Sequence, residues 1–104
     1  MDKPGNPETH VITISLEANQ VKCDPLRPKM EQGDTIVWQC EYPFAIHFMG
    51  ITPVEKVRLR SKGEITSKIQ NNAQFGCYKY FVALEKDGEI WTDDPDVIIR
   101  RPRR

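Results

Sequence analysis

Thr35-Ile36-Val37-Trp38-Gln39-Cys40, followed three residues later by Phe44-Ala45-Ile46-His47-Phe48, is the stretch that decides the fold. Ile36, Trp38 and Cys40 fall on alternate positions, as do Phe44, Ile46 and Phe48, so each run lays its apolar side chains on one face of an extended strand. Between the runs, Glu41-Tyr42-Pro43 reads as a loop.

The same period of two recurs on both sides, and no helical stripe competes with it. Upstream, Ile12, Ile14 and Leu16 alternate with Thr13 and Ser15, and Asn19-Gln20 turns the chain. Val21–Met30 is interrupted by Pro25 and Pro28 and reads as a bent edge strand, because proline cannot donate to an interior ladder. Gln32-Gly33-Asp34 forms the next turn. Downstream, Glu55–Arg60 and Glu64–Ile69 read as short strands around Lys62-Gly63, and Phe75–Leu84 as a long one with Tyr78, Tyr80 and Val82 in step. After a Lys86-Asp87-Gly88 turn come Ile90-Trp91, an acidic loop Thr92–Asp96 and Val97–Ile99. About eight strands spaced roughly ten residues apart predict an all-β fold, a sandwich or barrel.

The chain has 104 residues, 38% of them apolar and 29% charged, which suits one domain with a modest core and excludes disorder as its main state. Residues 1–8 read as a flexible arm, 9–100 as the domain and 101–104 as a basic tail. The longest apolar run, Tyr80–Leu84, is far too short for a membrane-spanning helix. Met1–His10 carries no apolar core behind a basic start, which leads us to expect a cytoplasmic protein, or a periplasmic or secreted one if a signal peptide has been removed. Cys23, Cys40 and Cys77 occur without zinc-type or C-x-x-C spacing and read as free structural thiols.

Fifteen charges of each sign cancel overall but are unevenly placed. Glu85, Asp87, Glu89, Asp93, Asp94 and Asp96 crowd one segment against Lys86 alone. Arg100, Arg101, Arg103 and Arg104 follow it, and Lys56, Arg58, Arg60 and Lys62 fall on alternate residues, as they would along one strand face. These two basic sets are candidate charged interaction surfaces. Nucleic acid is the disfavoured partner, since the acidic segment would repel a polyanion and neither a recognition helix nor an RNP-like aromatic motif is visible. The acidic segment lacks the loop pattern of a calcium site. His10 falls in the N-terminal arm and His47 on a strand, neither with a partner that sequence reveals.

Three pieces in order resemble the cupredoxins, over most of the chain. Val21 to Leu26 followed by Gly33-Asp34 and Thr35–Trp38 is similar to that family's proline-broken second strand, Gly-Asp turn and strand with an inward aromatic. His47 falls about where the family has its first copper histidine, and Gly76-Cys77-Tyr78-Lys79-Tyr80 resembles the Gly-x-Tyr-x-Tyr strand leading to the copper loop. The resemblance implies a Greek-key β-sandwich. It also implies ligand positions that here hold Val82 for cysteine and Glu85 for the second histidine, with no methionine after Met49, so no type 1 copper is expected. Alternation places Ile46 inward and His47 outward. The resemblance sets Cys77 at the end opposite Cys40; whether Cys23 and Cys40 pair stays open.

The expectation is therefore a metal-free, cupredoxin-like binding or protein-interaction module with no cofactor and no catalytic residues, its partner another protein or a second copy. A small enzyme or accessory subunit using an acidic or thiol site is the alternative, and copper electron transfer the third reading. In the resembled topology the Glu41–Pro43 loop and the Leu84–Asp96 segment meet at one end. That end would offer Tyr42, Phe44 and Trp91 beside Glu85, Asp93 and Asp94 as a partner-binding surface.

Overall fold

The computed structural model describes residues 7–55 and 58–101, so Lys56, Arg103 and Arg104 lie outside the described residues, as do residues 1–6 of the expected arm. Eight strands follow one another: β1 (Thr9–Glu17), β2 (Gln20–Asp24), β3 (Lys29–Met30), β4 (Thr35–Phe48), β5 (Arg58–Lys68), β6 (Gly76–Lys86), β7 (Glu89–Asp93) and β8 (Asp96–Ile99). The all-β expectation holds, and no described helix could cross a membrane.

β4 is the spine. Its first half pairs in parallel with β1 (Thr9 beside Thr35, Ile14 beside Cys40), and its second half pairs antiparallel with β6 (Phe44 opposite Leu84, Phe48 opposite Tyr80). β5 runs antiparallel along the other side of both halves. β2 closes a hairpin on β1, β7 and β8 line the far side of β6, and β3 pairs in parallel with β8. The sheet curls until β2 packs beside β7.

Several boundaries differ from the sequence expectation, each for a local reason. Glu41-Tyr42-Pro43 is not a loop: β4 is continuous, and Glu41 and Tyr42 form a bulge, since Cys40 pairs with Gly63 while Pro43 pairs with the adjacent Lys62. Lys62-Gly63 is not a turn between two strands. Gly63, at φ +104°, takes the backbone bend opposite the bulge and β5 runs through it. Val21–Met30 divides into β2 and β3, because Pro25 and Pro28 stand between them. The acidic loop Thr92–Asp96 is mostly strand: only Asp94-Pro95 separates β7 from β8, and the pairing with β6 keeps one register from Lys86–Glu89 to Gly76–Ile99. The first turn centres on Ala18-Asn19, one residue earlier than expected, with both residues at positive φ as in Asp87-Gly88; this is the type I′ geometry whose twist suits a hairpin.

The N-terminal arm is tied down sooner than its composition suggests. His10 lies in β1, and its Nε2 is 2.8 Å from Oδ2 of the buried Asp34. The same carboxylate accepts the backbone amides of Glu8 and Glu31 at 3.0 and 2.9 Å. Its own backbone carbonyl accepts the Ile69 amide, so Asp34 joins β1, the β3–β4 turn and the end of β5. A buried carboxylate is tolerable only when it is satisfied in this way.

At the centre, Trp38, Phe48 and Tyr80 are fully buried and meet edge-on or tilted, with ring centroids 5.1 to 6.2 Å apart. Trp38 Nε1 donates to the Tyr80 hydroxyl at 3.2 Å, giving each polar tip a partner inside an apolar core. Tyr80→Phe leaves that indole N–H unmet, and should lower unfolding free energy by about 1–3 kcal/mol in urea titrations with an unchanged m-value.

Asp96 is the second buried carboxylate. Burial pushes its pKa up, but the Lys79 ammonium, 3.3 Å from Oδ1, and the Arg27 guanidinium, 2.9 Å from Oδ2, outweigh burial and hold it below the ordinary value. A carboxyl held low when folded stabilises above its unfolded pKa and loses that contribution as pH falls through its folded one. The stability gap between the native protein and Asp96→Asn should therefore be widest near neutrality and narrow steadily below about pH 4 in urea titrations across pH.

Candidate functional site

Alternation sorts β4, β6 and β7 into an inner and an outer face. Phe44, Ile46 and Phe48 point inward with Tyr80, Val82 and Leu84, all buried. Ala45, His47, Phe81, Ala83, Glu85 and Thr92 therefore share the outer face. Register arranges that face as three rungs. Arg58, His47 and Phe81 lie side by side, with Asp94 next along the unbroken β6–β7–β8 register; Arg60, Ala45, Ala83 and Thr92 form the second rung. In the third, Lys62 opposes Pro43 and Glu85 opposes Ile90.

The middle rung is built of small side chains at Ala45, Ala83 and Thr92, and the result is a depression of about 870 Å³ whose lining also includes His47, Leu59 and Phe81. A second hollow continues past Pro43 to Glu85 and Ile90. Phe81 is 43% and Ile90 64% exposed. Past the end of β4, Met49 and Ile51 line a smaller hollow with Phe75 and Cys77. Exposed apolar side chains gathered on one face, rather than scattered singly, are the mark of an interaction site. The described edges of the face are charged: Lys62 on the β5 side, Glu85 and Asp94 on the β6–β7 side, with Asp94 3.8 Å from the Lys79 ammonium.

The residues expected to bind a partner are divided by this geometry. Glu85 and Asp94 are exposed at the edge of the outer face. Phe44 is core, paired with Leu84; Trp91 also pairs with Leu84 and packs against the core, its buried Nε1 without a hydrogen-bond partner. Asp93 pairs with inward Val82 and is half-buried. Tyr42, at the bulge, packs against the core under the Lys86 ammonium, 5.6 Å from its ring centroid. The strand alternation that carries Glu85 and Ile90 outward carries Trp91 inward.

The basic sets fare differently. Arg58, Arg60 and Lys62 hold alternate positions of β5, and of the three only Lys62 has a described, exposed side chain. Arg100 lies 3.7 Å from Glu31, and Arg101 stacks over the Phe75 ring at 5.1 Å, so neither pairs with the acidic segment. Asp96 of that segment is engaged by Arg27 and Lys79 instead.

The thiols do not form a site. Cys23 and Cys40 flank Ile14 from either side of β1, which separates their backbones by two strand spacings, roughly 10 Å, beyond the reach of a disulfide. Burial, with the charge of Asp93 and the neighbouring Cys40, pushes the Cys23 thiol up to about 12, and burial also raises Cys40. Among the described residues no three His, Cys, Asp or Glu side chains gather as metal ligands. The positions that the cupredoxin resemblance gives to copper ligands do not fit the metal: Val82 has no donor and faces inward, while His47 and Glu85 face outward.

No protein-family model matches this chain, and no curated protein matches it.

Thiol reagent should modify Cys77 alone in the native protein and all three cysteines after unfolding without reductant, read by mass spectrometry. Only one modified thiol after unfolding would reveal a disulfide.

Proposed function

We propose that this protein is a metal-free, cupredoxin-like interaction module that works by docking another polypeptide on the outer face of β4, β6 and β7. The exposed Phe81 and Ile90 around the Ala45–Ala83–Thr92 trough carry the reading, because burying them is worth more than leaving them in water. Ala45 and Ala83 let a partner's side chain approach the backbone, and the charged edges give such a contact its orientation. The cupredoxin-like part of the reading is supported by the proline-broken passage from β2 to β3, the parallel β1–β4 pairing, and inward Trp38 and Tyr80. Electron transfer through type 1 copper has no converging ligand set among the described residues. Burial holds Cys23 and Cys40 protonated, which disfavours thiol catalysis at those two positions.

The test is a benzoyl-phenylalanine crosslinker at position 81, compared with one at Val11, an exposed apolar residue on β1. In cells that naturally make the protein, position 81 should give adducts of defined mass that disappear in an Ala83→Arg background, while position 11 gives none. Equal labelling at both positions, or none at 81, would overturn the proposal.

A further inference from the structure

We propose that the end of the sheet where β4 and β8 finish and β6 begins docks on an anionic lipid surface, a role separate from that of the trough. Alternation along β6 sends Cys77 and Lys79 outward with Phe81, and Phe75, just ahead of the strand, is exposed as well. On one side of them stand Met49, whose amide donates to the Lys79 carbonyl at 3.1 Å, and Ile51; both line a hollow with Phe75 and Cys77. On the other side Ile98 pairs with Cys77 and Lys29 pairs with Ile98, so Lys29 belongs to the same face. Arg101, which follows β8, lies over the Phe75 ring, 5.1 Å from its centroid.

The contour suits a bilayer better than a folded partner. Ile51 is 74% exposed, more than any other large apolar side chain among the described residues, and Met49 and Phe75 are exposed beside it. All three sit in the connections that leave β4 and enter β6, so they stand at the end of the sheet and outside the trough. The hollow between them is about 320 Å³, against about 870 Å³ for the trough, and gives a protein side chain little to insert into. A bilayer asks for no matching shape, because apolar side chains sunk about 5–10 Å into its headgroup region leave water whatever their outline.

The charge is complementary to the same surface. The acids of this stretch face cations of their own chain: Asp96 is held by Arg27 and Lys79, Asp94 lies 3.8 Å from Lys79, and Glu31 lies 3.7 Å from Arg100. Among the described residues no acid pairs with Lys29 or Arg101. With Phe75 inserted, the guanidinium over its ring comes to the level of the lipid phosphates. Each cation near an anionic leaflet strengthens partitioning about fivefold, so two of them with three apolar tips give a reversible, salt-sensitive attachment.

Cosedimentation with vesicles of phosphatidylcholine alone, and of phosphatidylcholine with phosphatidylserine, reads this directly. The full chain should bind the serine-containing vesicles at least tenfold more strongly, high salt should narrow the difference, and an environment-sensitive fluorophore on the exposed Cys77 should shift to the blue on them. Ile51→Asp should weaken binding at least fivefold, and Lys29→Glu with Arg101→Glu should abolish the preference for anionic vesicles. Ile90→Asn, at the far end of the outer face, should change nothing; matching thermal unfolding of each variant shows that the fold is intact. Binding to neither vesicle, equal binding to both, or binding that Ile51→Asp weakens no more than Ile90→Asn does overturns the proposal. If vesicles are not bound but polyglutamate is, and the Lys29→Glu, Arg101→Glu variant loses it, the surface takes an acidic polypeptide and the lipid is refuted. None of these outcomes alters the adducts expected at position 81, so the docking reading stands or falls separately.

Discussion

The bulge at Glu41 and Tyr42 is the constraint on which the rest of the molecule depends. It inserts two residues into β4 opposite none in β5, and two is the period of side-chain direction along a strand. Ile36, Trp38 and Cys40 before it, and Phe44, Ile46 and Phe48 after it, therefore all reach the same core. A one-residue insertion would have turned the second half of β4 inside out and put Ala45 and His47 into the interior. The bulge also divides the labour of β4, which pairs with β1 before it and with β6 after it, so that one strand holds both halves of the curled sheet.

Much of this was legible in the sequence because it is local. The inward sets on β4, the inward Tyr80 and Val82 and the hairpin turn at Asp87-Gly88 follow from alternation and turn chemistry, and the structure has them. The continuity of β4 and β5 was not legible, because Pro43 and Gly63 look like interruptions when each is read alone. They are tolerated because both sit at one bulge, Gly63 opposite Cys40 at its start and Pro43 opposite Lys62 at its end. The outer face left a trace that could have been used: Phe81 and Ala83 are apolar although they fall out of step with Tyr78, Tyr80 and Val82. Their meeting with Ala45 and Thr92 required the register of three strands, which no local pattern encodes.

Two buried carboxylates show how polar groups fix the ends of such a sheet. Asp34 accepts backbone and imidazole donors and binds the start of β1 to the turn before β4, while Asp96 accepts cationic side chains and binds the start of β8 to Arg27 and Lys79. Each draws on partners distant in sequence, Glu8 and His10 for Asp34 and Arg27 for Asp96, so each rewards the correct assembly. The apolar interior between them supplies the larger driving force but is less particular about which strands adjoin.

The pairing of β3 with β8 has a consequence for how the chain reaches this form. Lys29 and Met30 lie beside Ile98 and Ile99, so the backbone of β3 has no strand partner until synthesis has passed Ile99. The β1–β2 and β6–β7 hairpins can form as they emerge, since their loops are short, but β3 must wait for the whole intervening chain. Such dependence on distant contacts places the domain among slow-folding topologies, on the order of milliseconds to seconds, and makes closure a late event that follows translation of β8. During that interval Met30, fully buried at the end, lacks its strand partner and leaves an apolar side chain and an unpaired backbone edge open to the wrong contact.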